Sequence, residues 1–86
     1  MAIRKDAGGG LIACLDRLHT TRLGGQRIRK NLSLDEGVDP VAWCGEKIGA
    51  PQSVIRQRGK NWYIAADGCE ITVNAHSMTI ITAHRR

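Results

Sequence analysis

The apolar positions of this chain change period once, near Pro51. Before it they recur at helical spacing: Leu11, Ile12, Leu15 and Leu18 form a stripe, with Asp16 and Arg17 turned away. Gly24-Gly25 interrupts that stripe, because glycine is poor in a helix interior. Leu23, Ile28 and Leu32 then continue on a second short helix, with Arg27, Arg29 and Lys30 on its outer side. Asp39-Pro40 predicts a further helix start. Asp accepts from unpaired backbone N–H groups, and proline fits the first helical position, where its missing donor is not needed. Val41, Cys44 and Ile48 share one face of that helix, which Gly49 and Pro51 terminate. Trp43 lies about 100° from Cys44 on the helical wheel and is expected to pack over the sheet.

After Pro51 the pattern alternates. Ser53 to Arg58, Asn61 to Ala66, Cys69 to Ala75 and Met78 to His84 read as four strands, joined at Gly59-Lys60, Asp67-Gly68 and His76-Ser77. Asp-Gly is a strong hairpin signal, since both positions need positive φ, and Gly-Lys suits the turn with glycine first. In a two-residue hairpin, residues equidistant from the turn oppose one another and point to the same face. Around the three turns this rule pairs Gln57 with Trp62, Ile55 with Ile64 with Ile71, Trp62 with Val73 with Ile80, Ala66 with Cys69, and Ala75 with Met78. One face therefore collects Ile55, Trp62, Ile64, Ala66, Cys69, Ile71, Val73, Ala75, Met78 and Ile80. The helices must cover it. The expected fold is α+β: behind a flexible segment (residues 1–10), two or three helices (11–50) pack on one face of a four-stranded antiparallel meander (53–84).

The opposite face carries Arg56, Arg58, Asn61, Tyr63, Thr72, Asn74 and Thr79, with Glu70 and Ile81 nearer one end. Guanidinium groups hold phosphates and stack on bases, a phenol ring stacks, and amides read base edges, so such a face suits RNA. A solvated antiparallel sheet is also polar, and that remains the alternative.

At 86 residues the chain bounds a single small domain, and 42% hydrophobic content is too high for disorder. No apolar run approaches the ~18 residues of a membrane span, and Leu11 to Leu15 is too short for the apolar region of a signal peptide. Cys14, Cys44 and Cys69 are odd in number and widely spaced, so reduced thiols and a cytoplasmic location are expected, with no membrane partner. No zinc-site spacing links them to His19, His76 or His84, and neither a metal nor a cofactor is expected. The formal net charge of +5 is unevenly placed. Arg17 to Leu34 holds Arg17, Arg22, Arg27, Arg29 and Lys30 without an acid, Asp35 to Lys47 is acidic, and Arg56, Arg58 and Lys60 cluster on one hairpin.

Lys30-Asn31-Leu32-Ser33-Leu34, Val41-Ala42-Trp43-Cys44, Arg58-Gly59-Lys60-Asn61-Trp62-Tyr63, Ile71 to Ser77 and Thr79 to His84 resemble a bacterial family known only as domain of unknown function 3781, from about His19 to His84. The resemblance implies no activity. It does imply an aromatic where this chain has His76 or Met78, a departure that weakens stacking on that hairpin. Helices followed by an antiparallel meander also look like the small ribosome-dependent ribonuclease toxins, a likeness of architecture alone.

RNA cleavage would need a base, an acid and cations at the phosphorane. His84 is the candidate titrating group, Arg56 and Arg58 the phosphate clamp, and Tyr63 the base platform. If strict alternation holds to residue 84, His84 faces the helices; a bulge near Thr82 would return it to the polar face. No phosphate loop, zinc-protease, nucleophile-elbow or paired-carboxylate motif occurs. The function expected is RNA binding through Arg56, Arg58, Lys60, Asn61, Tyr63, Thr72 and Asn74, joined by Arg27, Arg29 and Lys30, in a toxin-like ribonuclease or a simple binder. The rival is a small protein-binding inhibitor or adaptor, such as a phage-encoded blocker of a bacterial defence nuclease. It would occupy a nucleic-acid-binding protein's site with the cationic face, or mimic nucleic acid with Asp35 to Glu46. Homodimerisation through the edge strand is a third outcome, which Arg56 and Arg58 oppose.

Overall fold

The computed structural model describes residues 10–86. A short helical stretch at 10–13 and a 3-10 turn, Leu15–Arg17, lead into helix α1 (Arg22–Leu32) and helix α2 (Pro40–Gly49). Strands β1 (Val54–Arg58), β2 (Asn61–Ala66), β3 (Cys69–Asn74) and β4 (Ile80–Arg85) follow in one antiparallel sheet of order β1-β2-β3-β4. The architecture is α+β, as the change of period predicts. Of the expected flexible segment, residues 1–9 lie outside the described residues, and Gly10 already belongs to the helical stretch.

The first helical break falls elsewhere than expected. Gly24 and Gly25 lie inside α1, and the chain instead straightens after the 3-10 turn, at Leu18 (ψ 134°). Thr21 caps α1, its hydroxyl accepting from the Gly24 N–H at 2.9 Å. The Thr20 hydroxyl donates to the Ile80 carbonyl at 3.0 Å and ties the start of α1 to β4. A side chain at position 24 would run into both hydroxyls, so glycine is there for close approach. Leu23 and Ile12, assigned to the apolar stripe by spacing, are 65% and 41% exposed; Leu11, Leu18, Ile28 and Leu32 are the buried members.

These contacts predict a reversal of the usual propensity order. Gly24→Ala would gain about 1 kcal/mol of helix propensity. It displaces the Thr20 tether and crowds the Thr21 cap, together worth about 1–3 kcal/mol. The expected result is a net loss near 1 kcal/mol, read as a lower urea midpoint with an unchanged slope.

Helix α2 follows its sequence signals. The Asp39 carboxylate accepts from the Val41 N–H at 2.9 Å, Pro40 opens the helix, and Cys44 and Ile48 are fully buried. Trp43 packs half-buried against the core with the Lys47 ammonium 5.2 Å over its ring. Lys47 Nζ also reaches the Asp67 carboxylate at 2.8 Å. That hydrogen bond, then one from Gln52, holds the Asp67 carboxyl below its ordinary range, while the same bond raises the Lys47 ammonium. Burial, then the neighbouring Cys69, pushes the Cys44 thiol up to about 12, so it packs as a small apolar group.

In the sheet, the first two hairpins have the expected register. Ile55 opposes Ile64, Gln57 opposes Trp62, Trp62 opposes Val73, Ile64 opposes Ile71, and Ala66 opposes Cys69. Asp67 (φ 50°) and Gly68 (φ 74°) both take the left-handed conformation that Asp-Gly signals. Every residue assigned to the apolar face is buried except Ala75, which is half-buried against the core.

The third hairpin departs from expectation. The turn is a four-residue loop between Asn74 and Thr79, closed by Asn74 N–H donating to Thr79 O (2.8 Å) and Met78 N–H donating to Asn74 O (2.9 Å). Asn74 Oδ1 accepts from the N–H groups of His76 (2.9 Å) and Ser77 (3.0 Å), and Met78 takes φ 61°. Val73 still opposes Ile80, but the register then shifts: Thr72 opposes Thr82, and Ile81 is left over, 48% exposed. This bulge reverses the orientation beyond it. Ala83 is buried opposite Ile71, and His84 lies opposite Glu70 on the polar face rather than beneath the helices.

The two sheet edges differ. Residue 19 runs along β4, with His19 N–H donating to Met78 O (3.1 Å) and Ile80 N–H donating to His19 O (2.7 Å). Thr20 and Asn31 cap the Ile80 and Ala83 carbonyls of the same strand. Among the described residues, no backbone bond beyond the β2 ladder reaches Val54–Arg58, so β1 is a bare edge.

Candidate nucleic-acid interface

The paired register arranges the polar face in three rows across the strands. Arg58, Asn61, Asn74 and Thr79 form the first; Arg56, Tyr63, Thr72 and Thr82 the second; Val54, Ala65, Glu70 and His84 the third. Strands are about 4.8 Å apart and rows two residues, about 6.6 Å, apart. Arg56 and Arg58 are therefore neighbours along the exposed edge strand, each beside a polar β2 residue.

Arg56, Gln57, Arg58, Tyr63 and Glu70 line an open depression of about 500 Å³. The Asn61 amide approaches the Tyr63 hydroxyl at 3.5 Å, at the limit of a hydrogen bond. A second depression, about 570 Å³, is lined by Lys60, Asn74, His76 and Ser77. The two turns that form it are joined by Ala75 N–H donating to Lys60 O at 2.8 Å. Five cationic or imidazole side chains thus stand along one side of the sheet: Arg56, Arg58, Lys60, His76 and, in the third row, His84. In the sequence His76 reads as a turn residue only. Its place beside Lys60 follows from the longer loop, which the His76-Ser77 turn assignment did not predict.

Not every expected residue is available. The Asn74 carboxamide oxygen is engaged in its own turn. Thr72 is only 7% exposed, packed between the Tyr63 and Thr82 columns, and serves as floor. Arg29 is committed elsewhere: its Nη1 donates to the carbonyls of Asp35 (2.7 Å), Glu36 (3.0 Å) and Val38 (2.8 Å) and organises the loop before α2. Arg27 and Lys30 are exposed on α1. Helix α1 packs through Ile28 and Leu32 onto the apolar side of the sheet, against β4. Arg27 and Lys30 are thus on the opposite face and the opposite edge from Arg56 and Arg58. The structure does not bring the two basic groups together.

The bulge at Ile81 produces a pair not foreseen in the sequence. His84 Nε2 stands 3.7 Å from Glu70 Oε1, with side chains 45% and 29% exposed, and His84 Nδ1 lies 3.0 Å from the Arg85 carbonyl. A period of two carried through Thr82 conceals this pair. Among the described residues no three of His, Cys, Asp and Glu come together as a metal-binding group, and no helix is long and apolar enough to cross a membrane.

No curated protein and no solved structure matches the chain. Residues 12–84 match a family described as protein of unknown function (DUF3781), spanning both helices, the bulged fourth strand and both depressions. The chain belongs to the DUF3781 family.

Proposed function

We propose that this protein binds single-stranded RNA along the polar face of its sheet. The observation that carries the reading is the adjacency of Arg56, Arg58 and Tyr63 around one open depression, with the Lys60–His76 depression near the same turns. Guanidinium groups neutralise backbone phosphates, and the half-exposed Tyr63 ring supports an unstacked base. A duplex is a poorer fit, because among the described residues this broad four-stranded face carries no helix to lay in a groove, and its one aromatic stacks only on an unpaired base.

The test is a salt titration with an unstructured fluorescent RNA. Replacing Arg56 and Arg58 together with alanine removes two phosphate contacts. The log–log salt slope is then expected to flatten by about 1.4. Tyr63→Ala is expected to weaken binding by about 1–3 kcal/mol. Arg27→Ala and Lys30→Ala, on the other side of the molecule, leave both quantities unchanged. Unaltered affinity and slope in the Arg56/Arg58 double variant would overturn the reading. Purification of the protein with a bound protein, released by the same two substitutions, would favour the inhibitor or adaptor instead.

A further inference from the structure

We propose that the Glu70–His84 pair makes this surface a ribonuclease centre that cleaves by side-chain acid–base transesterification. The inference rests on the RNA-binding reading and adds chemistry to it. Glu70 lines the same depression as Arg56, Arg58 and Tyr63, and His84 stands directly beside Glu70 on the neighbouring strand. A carboxylate, an imidazole and two guanidinium groups thus share one solvent-open surface. Nothing in packing requires the pair: both side chains are substantially exposed, and β3 and β4 are already held by the ladder and by Ile71 against Ala83.

The chemistry balances with these groups alone. The 2′-hydroxyl of the bound nucleotide gives its proton to the Glu70 carboxylate as its oxygen forms a bond to phosphorus. The bond from phosphorus to the 5′ oxygen breaks, and that oxygen takes a proton from the His84 imidazolium. The products are a 2′,3′-cyclic phosphate and a 5′-hydroxyl end. Arg56, one row from Glu70, stabilises the charge on the non-bridging oxygens in between, while Arg58 holds a neighbouring phosphate. At 3.7 Å the Glu70–His84 contact is too long for a hydrogen bond, so substrate oxygens can replace it and each side chain can turn to the reacting atoms. His84 Nδ1–H donates to the Arg85 carbonyl at 3.0 Å, which orients the ring with Nε2 toward Glu70.

The experiment uses a 5′-labelled unstructured RNA with the full chain, in the presence of a chelator, with the ends of the products analysed. Cleavage leaving cyclic phosphate and 5′-hydroxyl ends is expected, with a 2′-O-methyl RNA bound but intact. Glu70→Gln and His84→Asn should each slow cleavage of fully bound RNA by about 10²–10⁴-fold, with the circular-dichroism spectrum unchanged. RNA that binds through Arg56 and Arg58 yet stays uncut overturns this inference and leaves the binding reading standing, as does cutting at equal rates by both variants. Absence of RNA binding overturns the reading beneath it.

Discussion

Ile64→Ala is expected to destabilise the domain by about 2–5 kcal/mol. Ile64 is fully buried on the inner strand β2, between Ile55 and Ile71, and belongs to the core that joins the sheet to Ile28, Leu32 and Ile48 of the helices. Removing three carbon atoms there loses their transfer free energy and leaves a void that a sheet residue paired on both sides cannot collapse into. A chain of this size has about 4–13 kcal/mol in total, so the loss is a large fraction and brings partial unfolding at ordinary temperatures within reach. Urea denaturation followed by tryptophan fluorescence measures it, since Trp62 and Trp43 both pack against that core. Val54→Ala, at 56% exposure on the other face, should change stability by less than about 0.5 kcal/mol. Equal effects at the two positions would mean that the sheet is not covered on the side described.

The second large effect concerns a residue that resembles a binding group in the sequence. Arg29→Ala is expected to lower stability by about 2–3 kcal/mol, because one guanidinium nitrogen serves three carbonyls of the 35–38 loop and hydrogen bonds from a charged donor are each stronger than neutral ones. The carbonyls regain water on exposure, which keeps the loss below a sum of three bonds. Arg29→Lys should recover part of the loss, since a single nitrogen makes all three bonds and an ammonium also carries three donors, though on a shorter, more flexible stem. Arg27→Ala and Lys30→Ala, two residues before and one after it and both exposed, should be near neutral. Thermal melts of the four variants decide the matter, and an Arg29→Ala protein as stable as the parent would return that side chain to the candidates for ligand contact.

Most of the fold can be read from local chemistry. Asp39-Pro40 sets the start of α2, Asp67-Gly68 sets the central hairpin, and the alternation of Ile55, Ile64, Ile71 and Val73 sets the buried face; each of these signals acts over a few residues. The misreadings arise where a distant partner outweighs local preference. Gly24 sits in a helix because Thr20 must reach Ile80, some 60 residues away in sequence. Leu23 is exposed because the turn at 15–17 and the straight segment after it rotate α1 relative to the preceding stripe. The Asn74 side chain stabilises a longer loop than His76-Ser77 suggests. The bulge is the most consequential of these. Thr82-Ala83-His84 continues an alternating pattern in either register, and only the burial of Ala83 opposite Ile71 decides between them. The candidate site divides in the same way: the Arg56–Tyr63 neighbourhood is legible from hairpin arithmetic, whereas the Glu70–His84 pair is not.

The unequal rims of the sheet limit how this protein can associate with itself. Among the described residues, His19, Thr20 and Asn31 occupy backbone groups of residues 78, 80 and 83 on the β4 side, so strand-to-strand addition is directed to the β1 rim. Two copies joined through β1 would each spend that rim on the other, so the contact closes as a pair instead of extending from molecule to molecule.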